Sequence, residues 1–196
     1  HAGEDSDDEG QAGWLRALKV ERQHHVRLDR RDDLRRVARF AAGRAVGVVL
    51  SGGGARGFAH AGVLRALHER GVPVDFVGGV SMGSLAAAAW AAGLDHERTL
   101  RVFETTFPKP GRGYTLPLVS VFSPRIGEDS LRGAFGETCI EDLWLPYFCV
   151  AANITHAALR VFRDGPLWRS MRASGAFPGL LPPLPEGGDL LVDGGL

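Results

Sequence analysis

Residues 45–57, AVGVVLSGGGARG, and residues 74–84, VDFVGGVSMGS, decide the fold. The run 45–50 is short, apolar and uncharged, as a buried parallel strand requires, and 74–80 reads as a second strand. Each is followed by a glycine-rich turn and then by a helical pattern. In 58–70, Ala59, Val63, Leu64 and Leu67 share one side and Gly71 is the stop; 84–92 ends at Gly93. Strand, glycine turn and helix, twice over, is the punctuation of an α/β protein.

Working outward, Asp95 is placed to cap a helix running to about residue 107. Residues 108–127, rich in Pro and Gly, read as a long loop with an apolar middle, YTLPLVSVF (114–122). A helix is expected over 128–135, strands over 147–152 and 159–162, and a helix over 167–174. Leu190, Leu191 and Val192 form a last short strand running into Asp193-Gly194-Gly195. No internal repeat is visible. The 19 uncharged residues between Asp75 and Asp95 approach the length of a bilayer span. Their first half is broken by Gly78-Gly79, Ser81 and Gly83-Ser84, so they read as strand, turn and buried helix.

Upstream, residues 1–44 form a separate lead-in to a domain at 45–196. Glu4, Asp5, Asp7, Asp8 and Glu9 make an acidic, linker-like start, and residues 11–44 then carry ten basic side chains against four acidic ones. Asp32 or Asp33 is expected to cap a helix with an apolar stripe at Leu34, Val37, Ala38 and Ala41, ending at Gly43. That stripe suits packing on the domain; a basic amphipathic helix on an anionic membrane is the alternative.

The 196 residues suffice for one domain with an appendage. Lys+Arg and Asp+Glu are 23 each, a net charge of +0, which gives no sign of a nucleic-acid partner. Twenty-one of the 23 basic residues are Arg, as a GC-rich coding bias would produce. Cys139 and Cys149 form neither a disulfide scaffold nor a C-x-x-C pair, so no metal is expected and the setting reads as reduced and intracellular. No basic-then-apolar leader opens the sequence, which leaves the Asn153-Ile154-Thr155 sequon without a secretory context.

The loop Gly52-Gly53-Gly54-Ala55-Arg56-Gly57 fits G-x-G-x-x-G between strand and helix, the context of dinucleotide binding. That fingerprint also wants an acid at the end of the second strand, whereas Asp75 stands at its beginning. A phosphate-binding P-loop fails because Phe58 follows Gly57 where Lys is needed. The same backbone amides at a helix N-terminus can instead face the oxyanion of a tetrahedral intermediate.

Gly79-Val80-Ser81-Met82-Gly83 is G-x-S-x-G directly after a strand and before a helix, where a sharp turn exposes the serine hydroxyl. A serine nucleophile needs a base. After Ser81 the only histidines are His96 and His156, neither follows Asp193, and His60 is read as packing or capping locally. A carboxylate remains, and Asp193, ending an apolar strand before two glycines, is the candidate; an aspartate in a tight D-G turn is the bland reading.

In this order, GGGARG, G-x-S-x-G about 30 residues on and D-G-G more than 100 residues later resemble the patatin-like phospholipases. YTLPLVSVF, IEDLWLPYFCVAANIT and LWRSMRASGAFPGLLPPL extend the likeness over residues 14–196, towards the neuropathy target esterase branch and its bacterial relatives, which hydrolyse lysophospholipids. The resemblance implies a three-layer α/β/α fold with a mostly parallel central sheet. It also implies a Ser-Asp dyad of Ser81 (nucleophile) and Asp193 (general base), with Gly52, Gly53, Gly54 and Arg56 as oxyanion loop and Gly79 and Gly83 flanking the elbow. The expected activity is carboxylic ester hydrolysis of a lysophospholipid or phospholipid, with no cofactor and no metal.

The family continues past D-G-G, so the expectation is that C-terminal elements are missing and that Asp193 lies near a frayed end. The expected setting is cytoplasmic or peripherally membrane-associated, in a bacterium, with regulatory domains preceding residue 1. Two alternatives stay open: a dinucleotide-binding module built on the loop Gly52 to Gly57, and a catalytically impaired fragment touching membranes through residues 11–44.

Overall fold

The computed structural model describes residues 23–106, 114 and 120–196. The acidic start and residues 115–119, the middle of the apolar stretch 114–122, lie outside the described residues. In chain order the elements are α1 (Arg31–Ala41), β1 (Gly47–Leu50), a 3-10 turn (Gly54–Gly57), α2 (Phe58–Glu69), β2 (Phe76–Val80), α3 (Met82–Ala91) and α4 (His96–Thr106). After these come α5 (Pro124–Phe135), a 3-10 turn (Ile140–Asp142), β3 (Tyr147–Asn153), β4 (Ala158–Phe162), α6 (Leu167–Ser174), β5 (Leu184–Glu186) and β6 (Asp189–Asp193). The Asp95 carboxylate accepts from Arg98 N–H at 2.7 Å and starts α4. α5 begins four residues before the expected 128 because Pro124, with its preset φ and no amide to satisfy, stands in the first turn.

The sheet is mixed. β1, β2 and β3 run parallel, with Leu50 beside Gly79 and Val80 beside Val150. β4 lies antiparallel along one edge of β3, from Cys149 to Asn153. β6 is also antiparallel to β3, with Ala151 opposite Asp193 and Asn153 opposite Leu191, and β5 pairs with β6. Since β4 occupies one edge of β3 throughout, β2 and β6 share the other edge and meet head to head there. The C-terminal ends of both strands therefore abut, at Val150 and Ala151.

One face of the sheet carries Val77, Tyr147, Cys149 and Ala151, packed under α3 and α6. α3 is buried on all sides, with Ala86, Ala87, Ala88 and Ala89 fully enclosed. That accounts for the long uncharged run after Asp75, and among the described residues no helix is long and apolar enough to cross a membrane. The opposite face receives α1, where Phe40 meets Phe76 at 5.9 Å between ring centroids.

α1 docks on its polar side, contrary to the expected apolar stripe. Leu34, Ala38 and Ala41 are exposed, whereas Asp33 and Arg36 are buried. Nor does an Asp side chain cap the helix: its N-cap is Arg30, with no side-chain bond. Ion pairing orients the helix instead. Arg27 Nε donates to Asp33 at 2.8 Å, Arg36 lies within 3.4 Å of the same carboxylate, and Arg39 Nε donates to Asp75 at 2.8 Å. Three ion pairs among these five charged residues outweigh the burial of Leu34, Ala38 and Ala41. The sequon is likewise absorbed by structure, since Asn153 is buried, its amide donates to Asp189 (2.7 Å) and its carbonyl accepts from Thr155 N–H.

Candidate active site

Ser81 leaves β2 with φ 53° and ψ −125°, a conformation that L-residues rarely adopt and that costs on the order of 1–3 kcal/mol. The glycines around it make that turn sterically feasible. A Cβ at Gly79 would come within 2.4 Å of the Gly83 backbone, and one at Gly83 within 2.2 Å of Leu50 O. α3 therefore starts in backbone contact with the end of β1. Three side chains hold the turn: Ser81 N–H donates to Ser174 Oγ (2.9 Å), Ser84 Oγ donates to Ser81 O (2.6 Å), and Tyr147 O–H donates to Ser84 O (3.2 Å). Burial pushes the Tyr147 hydroxyl well up and the Cys149 thiol up to about 11, so both stay protonated and serve this scaffold as neutral groups.

The glycine loop crosses directly over the serine. A Cβ at Gly52 would stand 3.2 Å from Ser81 Cβ, and Gly54 takes φ +53°. Arg56 N–H donates to Gly53 O at 3.1 Å and closes the 3-10 turn, with its side chain exposed. Gly52, which lies against Ser81, and Gly53 precede that turn and Gly54 opens it, so their amides stand outside the helical ladder. His60 is occupied locally, with Nε2 2.9 Å from Ser51 O.

Asp193 lies at the other half of the head-to-head junction. Cross-strand neighbours share a face, so Asp193, opposite Ala151, is on the same side as Cys149 and Gly79. The alternation of β2 carries that side on to Ser81. Asp193 is buried; its N–H donates to Ala176 O (3.0 Å), and Oδ1 accepts from Gly195 N–H (2.8 Å). A Cβ at Gly194 would be 2.4 Å from Val150 O, so glycine lets the chain turn against β3. Among the described residues Asp193 makes no ion pair, and no hydrogen bond joins it to Ser81 Oγ. Catalytic contacts of this kind commonly tighten only when substrate binds.

An apolar groove of about 760 Å³ lies behind this junction: Ala152, Leu159 and Val192, which line it with Pro178, Pro183 and Gly194, are cross-strand neighbours on the sheet face opposite to that of Asp193. The described ends of the apolar stretch 114–122 meet, Tyr114 and Phe122 pairing with ring centroids 5.2 Å apart, and Val121 N–H donates to O of the groove-lining Gly179 (2.9 Å). Among the described residues no group of three or more His, Cys, Asp or Glu is arranged to hold a metal ion.

Sequence reasoning placed Ser81, Asp193 and the loop at one sheet edge, and the structure brings them there. It missed Ser174 and Ser84, which mark themselves only once the fold sets α6 against the elbow.

Residues 48–196 match the family model of patatin-like phospholipase. Human patatin-like phospholipase domain-containing protein 6 is 47% identical over 177 residues, 86% of this chain and 13% of that protein. Neuropathy target esterase sws of Drosophila melanogaster is 41% identical over 179 residues, 83% of this chain and 12% of that protein. The chain thus spans about an eighth of the length of these relatives, which are animal proteins and lend no support to a bacterial source. Among solved structures, VipD from Legionella pneumophila superposes with a TM-score of 0.60 at 17% identity, covering 78% of this chain and 46% of VipD, a likeness of fold.

Proposed function

The chain belongs to the patatin-like phospholipase family, and we propose that this domain hydrolyses carboxylic esters of lipids through a Ser81–Asp193 dyad. The observation that carries the reading is the abutment of β2 and β6 on β3, with Val80 beside Val150 and Asp193 beside Ala151. Two strands distant in sequence end at adjacent register positions, one delivering a strained serine and the other a carboxylate that makes no ion pair among the described residues.

In the proposed reaction Asp193 takes the Ser81 Oγ proton as Oγ bonds to the ester carbon. The amides of Gly52, Gly53 and Gly54, on a loop whose turn Arg56 closes, donate to the oxyanion. Collapse breaks the bond to the leaving alcohol, which takes the proton from Asp193. Water then attacks the acyl-enzyme, gives a proton to Asp193 and releases the fatty acid as Oγ recovers its proton. The likeness to neuropathy target esterase sws supports an ester substrate, and a lysophospholipid is the class we favour.

A dinucleotide reading of the glycine loop finds no ribose-binding acid at the end of β2, because Asp75 lies before its start and is bonded to Arg39. A membrane contact through α1 would act from the opposite edge of the sheet, where α1 is fastened to Asp75; lipid contact fits better at the edge bearing Phe177 and Leu180, both exposed.

A fluorophosphonate probe tests the proposal. The protein is expected to be labelled and Ser81→Ala to resist labelling; equal labelling of the two would end the serine-hydrolase reading.

A further inference from the structure

The turn that ends α6 holds both proposed catalytic residues. Ser174, the last residue of that helix and fully buried, accepts the Ser81 N–H at 2.9 Å. Two residues on, the carbonyl of Ala176, equally buried, accepts the Asp193 N–H at 3.0 Å. One short segment, through the Ser174 hydroxyl and the Ala176 carbonyl, therefore grips Ser81 at the end of β2 and Asp193 at the end of β6, which are 112 residues apart along the chain. The grip is itself anchored. Arg172, two residues before Ser174 and buried, donates to Pro182 O (2.9 Å) and lies 3.7 Å from the Glu128 carboxylate, tying α6 to α5 and to the loop that follows.

We propose that Ser174 is a positioning residue for catalysis: by accepting the Ser81 amide proton, from the turn that also accepts the Asp193 amide, it sets the distance between nucleophile and base. This rests on the Ser81–Asp193 reading. Ser81 occupies a conformation its own chain does not favour, so it keeps that conformation only while surrounding bonds over-determine it. Ser84 and Tyr147 hold the downstream carbonyls of the elbow, and Ser174 supplies the tie on the amide side. Without it the serine is free to relax away from Asp193, and misplacement of a catalytic group by about 1 Å can cost as much as about 100-fold in rate.

Ser174→Ala and Ser170→Ala test the proposal together on a lysophospholipid and on the fluorophosphonate probe. Ser170 is a matched control: equally buried in α6, its hydroxyl donates to Leu167 O within the helix and touches neither catalytic residue. Ser174→Ala is expected to lower kcat by about 10- to 100-fold with KM unchanged, and to slow labelling in parallel. Ser170→Ala is expected to keep the kcat of the unmodified protein even where its melting temperature falls. Ser174→Cys, which fills the same space with a weak acceptor, replaces Ser174→Ala if the latter fails to fold and should show the same loss. Full kcat in a folded Ser174 variant, or an equal loss in Ser170→Ala, overturns the proposal while leaving Ser81 as nucleophile. Labelling that survives Ser81→Ala would instead remove the reading beneath it.

Discussion

Two buried aspartates stand at opposite edges of one sheet. Asp75, just before β2, is 0% exposed, accepts two bonds from Arg39 and one from Val46 N–H, and takes further stabilisation from Arg36 nearby. Asp193, at the end of β6, is 3% exposed and, among the described residues, accepts one side-chain bond, from Gly195 N–H. Burial alone does not separate the two carboxylates; their partners do. A carboxylate enclosed by a guanidinium fork is saturated with donors and fixes a helix to the sheet. One with a single neutral donor and a neighbouring serine keeps lone pairs for a proton.

The sharpest break between them is functional. Asp193→Asn, with the same shape and no basicity, is expected to lower kcat by about 100- to 10,000-fold while the melting temperature scarcely moves. Steady-state hydrolysis and a thermal melt on one preparation check both halves. Retention of full activity would assign Asp193 to the ordinary D-G turn. Next in size, Asp75→Asn leaves the Arg39 charge facing a neutral amide and is expected to destabilise by about 2–4 kcal/mol, less than a wholly buried pair because Arg39 is partly exposed. Its kcat per folded molecule should stay that of the unmodified protein, measured against active-site concentration. A variant stable as the parent but slow would reverse the roles assigned to the two edges.

The contrast between these edges also explains what was legible in the sequence. The edge bearing Ser81 and Asp193 was readable because its demands are local: G-x-S-x-G must follow a strand, and glycines at 79 and 83 are required by contacts of 2.2–2.4 Å that any side chain would violate, with a tight approach of 3.2 Å at Gly52. The other edge was misread because its demands are tertiary. Periodicity assigned the buried face of α1 to Leu34, Val37, Ala38 and Ala41, yet Asp33, Arg36 and Arg39 turn inward to partners, one of which, Asp75, lies more than 30 residues away. Hydrophobic patterning carries no information about which charges will be paired. β5 and the antiparallel entry of β6 were missed for a similar reason, since a three-residue strand, Leu184–Glu186, has no period to detect. Ser174 needed both: the helix was expected over its observed span, but its contact depends on where α6 crosses the elbow.

The smallest effect probes the α1 edge by pH. Asp33 is held down to about 2, first by the Arg27 guanidinium bonded to it, and then by the Arg27 amide, with Arg36 adding to the field. Asp75 is held below the usual range as well: burial pushes it up, but Arg39 and Val46 N–H outweigh that. For both, folding favours the ionised form, so their contribution is present above the ordinary carboxylate range near 3.9 and is lost as pH falls. For Asp33 the loss runs from about pH 4 towards 2, and its size is on the order of 1 kcal/mol because the Arg27 side chain is 43% exposed. Melting temperatures of the unmodified protein and of Asp33→Asn, compared from neutral pH to pH 2, should differ most at neutral pH and converge in acid. A gap that stays constant across that range would mean that Asp33 holds α1 by hydrogen bonds indifferent to its charge. In that case the pairing which distinguishes this edge from the one bearing Ser81 and Asp193 would lie with Asp75 and Arg39 alone.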